Sequence, residues 1–317
     1  MRVLACVLAV LALVAARSAG ARTMHTCPHL AASLSYARGG RQHVLSLSTC
    51  ADRVVGRPRR IAGGLSSRQG RVARIAAVPS EQTIVVDGKP VLRVHEDRRT
   101  VPGGAPGPLG LVTWSPDGRW LFYFIDPMGS DSIAADGLVL RALDVATGRS
   151  VPVGKAISLG DYVTWCGSTL VMSAGGDRIA THHKRLVAAT APTWKPRLLW
   201  DAPSRAFGSV TCNPDGESVA VLSQRDSTDA FFFAARWQLW QVTLDGRRFE
   251  LDRPPRGCAD ESPAWSPDGS SLAFVRERKG YGAVMVLHGD RTYGPLADLG
   301  YSLGYYGHHD WGIAWRR

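Results

Sequence analysis

After residue 16 the 317-residue chain has no apolar run long enough to cross a bilayer as a helix, which excludes an internal helical membrane span. No CxxC and no Cys/His zinc spacing occurs, which excludes a thioredoxin-type redox motif or a zinc finger. Lysine is scarce. Only Lys89, Lys155, Lys184, Lys195 and Lys279 are lysines, so the formal charge of +11 rests almost wholly on arginine. Long uninterrupted helical patterns are missing too, because 34 Gly and 19 Pro break the chain repeatedly and favour turns. What is present is ordinary for a globular protein: 45% hydrophobic and 21% charged residues, neither disordered nor collagen-like.

The one long apolar run is at the start. Met1-Arg2 precedes residues 3–16, a stretch of Val, Leu, Ala and one Cys, and Ala19-Gly20-Ala21 supplies a small-x-small site. This pattern predicts a secretory signal peptide over 1–21, with an uncleaved anchor as the alternative. Cleavage would remove Arg2 and Arg17 and leave a charge of +9, with no integral span remaining. A secreted destination is oxidising, so Cys27, Cys50, Cys166, Cys212 and Cys258 become readable as disulfide candidates. Cys27–Cys50 would tie down an N-terminal arm over 22–33. Among the other three, one pair or buried free thiols remain open.

Internal repetition is the strongest signal. Trp114-Ser115-Pro116-Asp117-Gly118 recurs as Trp265-Ser266-Pro267-Asp268-Gly269 and, degraded, as Cys212-Asn213-Pro214-Asp215-Gly216. Trp165-Cys166-Gly167-Ser168 takes the matching place between them, Leu65 precedes them and Trp315 ends the series. The anchors 65, 114, 165, 212, 265 and 315 are spaced by 49, 51, 47, 53 and 50 residues. Around each anchor the residues read as strand, tight turn, strand: Pro presets φ, Asp bonds its own turn backbone, and Gly accepts a left-handed conformation. A second hairpin follows in most copies, as at Asp87-Gly88, residues 144–148 and Asp245-Gly246. Each repeat is therefore four short antiparallel strands, the pattern of a β-propeller blade.

The Trp-Ser-Pro-Asp-Gly turns resemble those of TolB-type propellers, a WD-repeat-like class common in bacterial envelopes. The resemblance covers nearly all of residues 34–317, read as a single propeller domain without the additional amino-terminal domain of TolB itself. It implies an all-β fold, here expected as a six-bladed β-propeller of four-stranded antiparallel blades. The C-terminal residues 310–315 would supply the inner strand that 34–60 lack and so close the ring. In that fold Trp114, Trp165, Trp265 and Trp315 pack between blades. Asp117, Gly118, Asp215, Gly216, Asp268 and Gly269 make turns.

Strand order puts the Pro-Asp-Gly turns on one face and the connections between second and third strands, and between blades, on the other. The second face collects His182, His183, Arg205, Asp226, Asp260, Glu261, His308, His309 and Asp310, with Asp161, Tyr162, Lys184 and Glu277 near them in the chain. Among these, His308, His309, Asp310 and Asp260 are the candidate ligands for a divalent metal, since neutral imidazole and carboxylate are ordinary donors. No catalytic constellation stands out, and no cofactor beyond that metal is expected. Gly300-Tyr301-Ser302-Leu303-Gly304 imitates a nucleophile elbow, but only 13 residues follow it, too few for a hydrolase sheet.

Arginines cluster early: seven lie between 53 and 74 with no acid among them, including Arg57, Arg59, Arg60, Arg68, Arg71 and Arg74. Such a stretch could hold anions through the guanidinium fork. No aromatics interleave with it, so nucleic acid is not an expected partner. The expectation is a secreted, monomeric, non-catalytic platform for a protein or an anionic envelope polymer. The alternative is a metal-assisted lyase or hydrolase working in the channel.

Overall fold

Short apolar runs bounded by Gly, Pro and Asp leave the backbone few alternatives to short strands, and strands are what the chain forms. The computed structural model describes residues 27–56, 64–67, 69–78, 81–95, 109–125, 137–157, 160–177, 179–228, 236–302 and 311–316. The expected signal segment 1–21, Arg57, Arg59, Arg60, Arg68, His308, His309 and Asp310 lie outside the described residues.

Strands pair antiparallel in sequence order. The first unit holds β1 (Ser33–Arg38), β2 (Arg41–Ser46) and β3 (Asp52–Gly56), and the second β4 (Gly64–Ser66), β5 (Val72–Val78), β6 (Glu81–Val86) and β7 (Lys89–His95). The third comprises β8 (Leu109–Trp114), β9 (Trp120–Ile125), β10 (Leu138–Asp144) and β11 (Ser150–Ala156). The fourth comprises β12 (Val163–Cys166), β13 (Thr169–Ala174), β14 (Arg185–Ala189) and β15 (Arg197–Trp200). The fifth follows with β16 (Arg205–Cys212), β17 (Ser218–Arg225), β18 (Gln238–Thr243) and β19 (Arg248–Asp252). Last come β20 (Ala259–Trp265), β21 (Ser271–Arg278), β22 (Tyr281–His288) and β23 (Arg291–Tyr301). The C-terminal β24 (Ala314–Arg316) returns to the first unit, pairing with β1 through Leu34↔Trp315 and giving the order β24-β1-β2-β3.

One junction was not announced by the repeat spacing. β11 and β13 meet at the single pair Ala156↔Ala174, so the third and fourth units share one continuous eight-stranded sheet. Both side chains are small, and Gly175 N–H donates to Lys155 O at 2.7 Å beside them, which lets the two backbones approach.

The turns hold as their chemistry requires. Asp117 Oδ1 accepts from Ser115 Oγ at 2.5 Å and from Arg119 N at 3.1 Å, while Ser115 Oγ accepts from Trp120 N at 2.8 Å. Asp268 repeats this with Ser266 Oγ and Ser270 N, and the Ser266 hydroxyl leads the hydrogen bonds that hold its carboxyl down at about 2. Gly118 and Gly269 sit at φ +67° and +72°, where a Cβ would be strained. The second unit lacks Pro-Asp-Gly, yet Ser67 Oγ accepts from Arg71 N at 3.0 Å in the manner of Ser115.

Five buried apolar clusters each lie between neighbouring units. Ile84 and Val86 of the second unit meet Leu121 and Tyr123 of the third, and Phe122 meets Met172 of the fourth. Val171 meets Val219 of the fifth, Leu222 meets Phe274 of the sixth, and Val275 returns to Leu34 and Leu45 of the first. Indoles reinforce three of these joints. Trp114 Nε1 donates to Leu65 O at 3.0 Å, Trp165 Nε1 to Thr113 Oγ1 at 3.2 Å and Trp315 Nε1 to Ala264 O at 2.7 Å.

Disulfides supplement the packing. Cys27–Cys50 ties residues ahead of β1 to the β2–β3 turn, as expected. Cys166–Cys212 joins the ends of β12 and β16, with Cα atoms 5.4 Å apart, where the fifth unit has lost its anchor tryptophan. The bridge closes a loop of 46 residues. Replacing both of these cysteines by alanine is expected to lower the unfolding free energy by about 2–4 kcal/mol in urea titration. An unchanged midpoint would show that the bridge contributes nothing.

Candidate functional site

The first-strand ends converge on a cavity of about 770 Å³ on the face of the Pro-Asp-Gly turns. Its walls include Pro116, Trp165, Pro214, Trp265, Pro267 and Trp315, drawn from the third, fourth, fifth and sixth units and from β24. Residues that carry the repeat therefore also line a space large enough for a ligand. The indole Nε1 of Trp265 is buried and has no hydrogen-bond partner among the described residues. The opposite face stands out in the sequence for its histidines and carboxylates, whereas the cavity is built largely from turn and anchor residues of the repeat.

On that opposite face the β13–β14 connection brings His182, His183 and Asp226 together. His182 Nδ1 lies 2.5 Å from Asp226 Oδ1, and His183 N donates to Asp226 Oδ2 at 2.9 Å. Thr181 and Ser227 lock the same two loops with hydrogen bonds of 2.9 Å in each direction. Beneath them Lys184 is fully buried, and its Nζ donates to the carbonyls of Asp177, Ile179 and His182 at 2.5, 2.9 and 3.0 Å. Burial lowers this amine to about 8, against the opposing pull of Asp177 and Asp226. Asp177 was not singled out in the sequence. Its Oδ2 stands 3.7 Å from His182 Nε2, and only its place five residues before His182 in one loop could have marked it.

The remaining predicted residues go elsewhere. Arg205 is drawn away from that cluster, donating to Ser223 Oγ of its own unit at 2.9 Å and lying over the rings of Trp200 of the fourth unit and Trp240 of its own. Asp260 is buried and accepts from Arg276, with Nε 2.9 Å from Oδ1 and Nη2 3.4 Å from Oδ2; Arg276 also pairs with Asp252. Arg276 was overlooked beside Glu277. Arg71 pairs with Asp87 at 2.9 Å, donates to Gly118 O at 3.0 Å and covers Trp114, whereas Arg74 is exposed on β5.

Glu261 is fully buried, and neither carboxyl oxygen has a hydrogen-bond partner among the described residues. Burial, followed by the like charges of Glu277, Asp161 and Asp260, pushes its pKa well above the usual carboxylate range. Asp161 Oδ2 accepts from Ser209 Oγ at 2.5 Å, and Glu277 accepts from Gly280 N.

No family model and no curated protein matches the chain. Solved structures do. A TolB-type protein from Agrobacterium tumefaciens is 16% identical over 90% of this chain and 97% of its own, with a TM-score of 0.47. TolB from Acinetobacter baumannii is 13% identical over 90% and 81%, at 0.31. An oligogalacturonate lyase in complex with manganese is 16% identical over 86% and 72%, at 0.46. All three scores are below 0.5, and neither activity nor ligand is carried over from them. The repeated units, their order and the turn chemistry make the chain an all-β protein of short antiparallel strands.

The buried Glu261 has a consequence for stability. Its folded pKa exceeds its unfolded value near 4.5, so its contribution is complete below that pH and is lost as pH rises through the folded value. Glu261→Gln is neutral at every pH. In urea titrations the variant is expected to gain stability relative to wild type at pH 7.5, and the gain should shrink at pH 4.5. An equal difference at both values would contradict a protonated buried acid.

Proposed function

We propose that the chain is a secreted six-bladed β-propeller that acts as a non-catalytic platform, holding an extended segment of a protein partner in the tryptophan-lined cavity. The observation that carries this reading is the cavity itself. First-strand ends of the third to sixth units and β24 share one space, which supports units disposed about a common axis. The second unit then falls between β24 and the third, and pairing of β24 with β1 closes the ring and removes an open edge. Indole faces and proline rings share the walls with the polar side chains of Thr211, Asn213 and Asp215, a mixed lining suited to the side chains and backbone of an extended segment. The disulfides fit an oxidising, extracytoplasmic setting.

An anionic envelope polymer is the competing ligand of the same platform, resting on the arginine-rich segment to which exposed Arg74 belongs. The metal-assisted lyase or hydrolase built on Asp260, His308, His309 and Asp310 is favoured less, since both Asp260 oxygens accept from Arg276.

A photo-crosslinking side chain at exposed Asp215, on the cavity wall, tests the peptide reading against the same probe at exposed Arg248 on β19. In an envelope extract, a stoichiometric polypeptide adduct is expected at 215 and not at 248. Adducts at both positions alike, or at neither, would count against the cavity as the binding site. A complex that instead dissolves with added salt would favour the anionic polymer.

A further inference from the structure

We propose that Asp177, His182 and His183 form a zinc-class divalent metal site on the face opposite the tryptophan-lined cavity. One donor atom from each of the three lies within 4.8 Å of the others. His182 Nε2 lies 3.7 Å from Asp177 Oδ2. Ligand atoms of a tetrahedral zinc ion with bonds of about 2.0–2.1 Å lie about 3.3 Å apart, so this pair needs only a few tenths of an ångström of adjustment. Two imidazoles with a carboxylate form a donor set that suits zinc, whereas calcium and magnesium take oxygen ligands throughout.

The surroundings leave the right atoms available. His182 Nδ1 is held by Asp226 Oδ1 at 2.5 Å, which leaves Nε2 with its lone pair facing Asp177. A carboxylate on the far nitrogen of a ligating histidine fixes its tautomer and raises its basicity. Asp226 Oδ2 is fixed in turn by His183 N at 2.9 Å, so the outer carboxylate is itself oriented. Asp177 Oδ1 accepts from Ile179 N at 2.9 Å, and Oδ2 is the atom turned to His182.

Lys184 could have neutralised these carboxylates. Instead its three donors go to three backbone carbonyls, which clamps the loop and leaves both carboxylates free of it. His183 adopts φ +49°, a conformation uncommon for a residue with a Cβ, and this sets its ring 3.6 Å from that of His182. Three protein ligands leave a fourth tetrahedral position for water or a partner's side chain, at a site where His183 is exposed. The geometry is independent of the cavity and of the residues 308–310.

The test uses the full chain stripped of metal by chelation and dialysis, titrated with zinc(II) against a chromophoric chelator and with cobalt(II) by visible absorption. Wild type is expected to bind one equivalent, to give a tetrahedral cobalt spectrum and to gain thermal stability with zinc. His182→Ala and Asp177→Asn should abolish that equivalent; the Asn variant keeps an acceptor for Ile179 N, so loss of binding there is not loss of the loop. Asp226→Asn should weaken binding by about 10–100-fold. His43→Ala removes a histidine that also sits on a carboxylate, 3.2 Å from Asp52, and should change nothing. No binding by wild type, or one equivalent retained in both His182→Ala and Asp177→Asn, would overturn the site.

Discussion

Everything in this fold depends on how neighbouring antiparallel units grip one another, at five joints among the described residues. No unit of four short strands buries enough surface to stand alone, and each apolar cluster spans a joint rather than filling one sheet. The anchor at the end of the first strand makes the grip specific. Trp114, Trp165 and Trp315 each reach back 49 to 52 residues to a polar atom of the preceding unit. Where the fifth unit carries Cys212 in place of tryptophan, a covalent bond to Cys166 performs the same task. The repeat length is thus the distance along the chain from one grip to the next.

That arrangement also divides the molecule into two unlike ends. At the turn end, the repeated Trp, Pro and Gly residues leave a cavity walled by indoles and prolines. At the other end lie titratable groups: a histidine–carboxylate cluster over a buried lysine on the loops, and a buried carboxyl at Glu261 on β20.

Much of this was legible from the residues, for a local reason. Pro-Asp-Gly and Asp-Gly turns state their conformation wherever they occur, so strand pairs and their sides follow from spacing alone, and His182 with Asp226 could be placed on one face. Even the second unit was found by spacing, because Ser67 does the bonding that Ser115 does elsewhere. What escaped depends on contacts between units. The Ala156↔Ala174 junction and the choice of Cys212 as the partner of Cys166 arise only when sheets stack. Arg71 and Arg205 read as free cations, but indoles and carbonyls absorb them. Asp177 carried no mark beyond its place five residues before His182, and it comes beside that ring in a loop folded back by Lys184.

The most direct test of the proposed ring, in which the last strand joins the sixth unit to the first, is deletion of residues 310–317 followed by urea unfolding. Removing β24 takes away the partner of β1 and the Trp315 bond to Ala264 at once. The account expects a sharp fall in the midpoint of a single cooperative transition. A truncated chain that unfolds at the wild-type midpoint would contradict it.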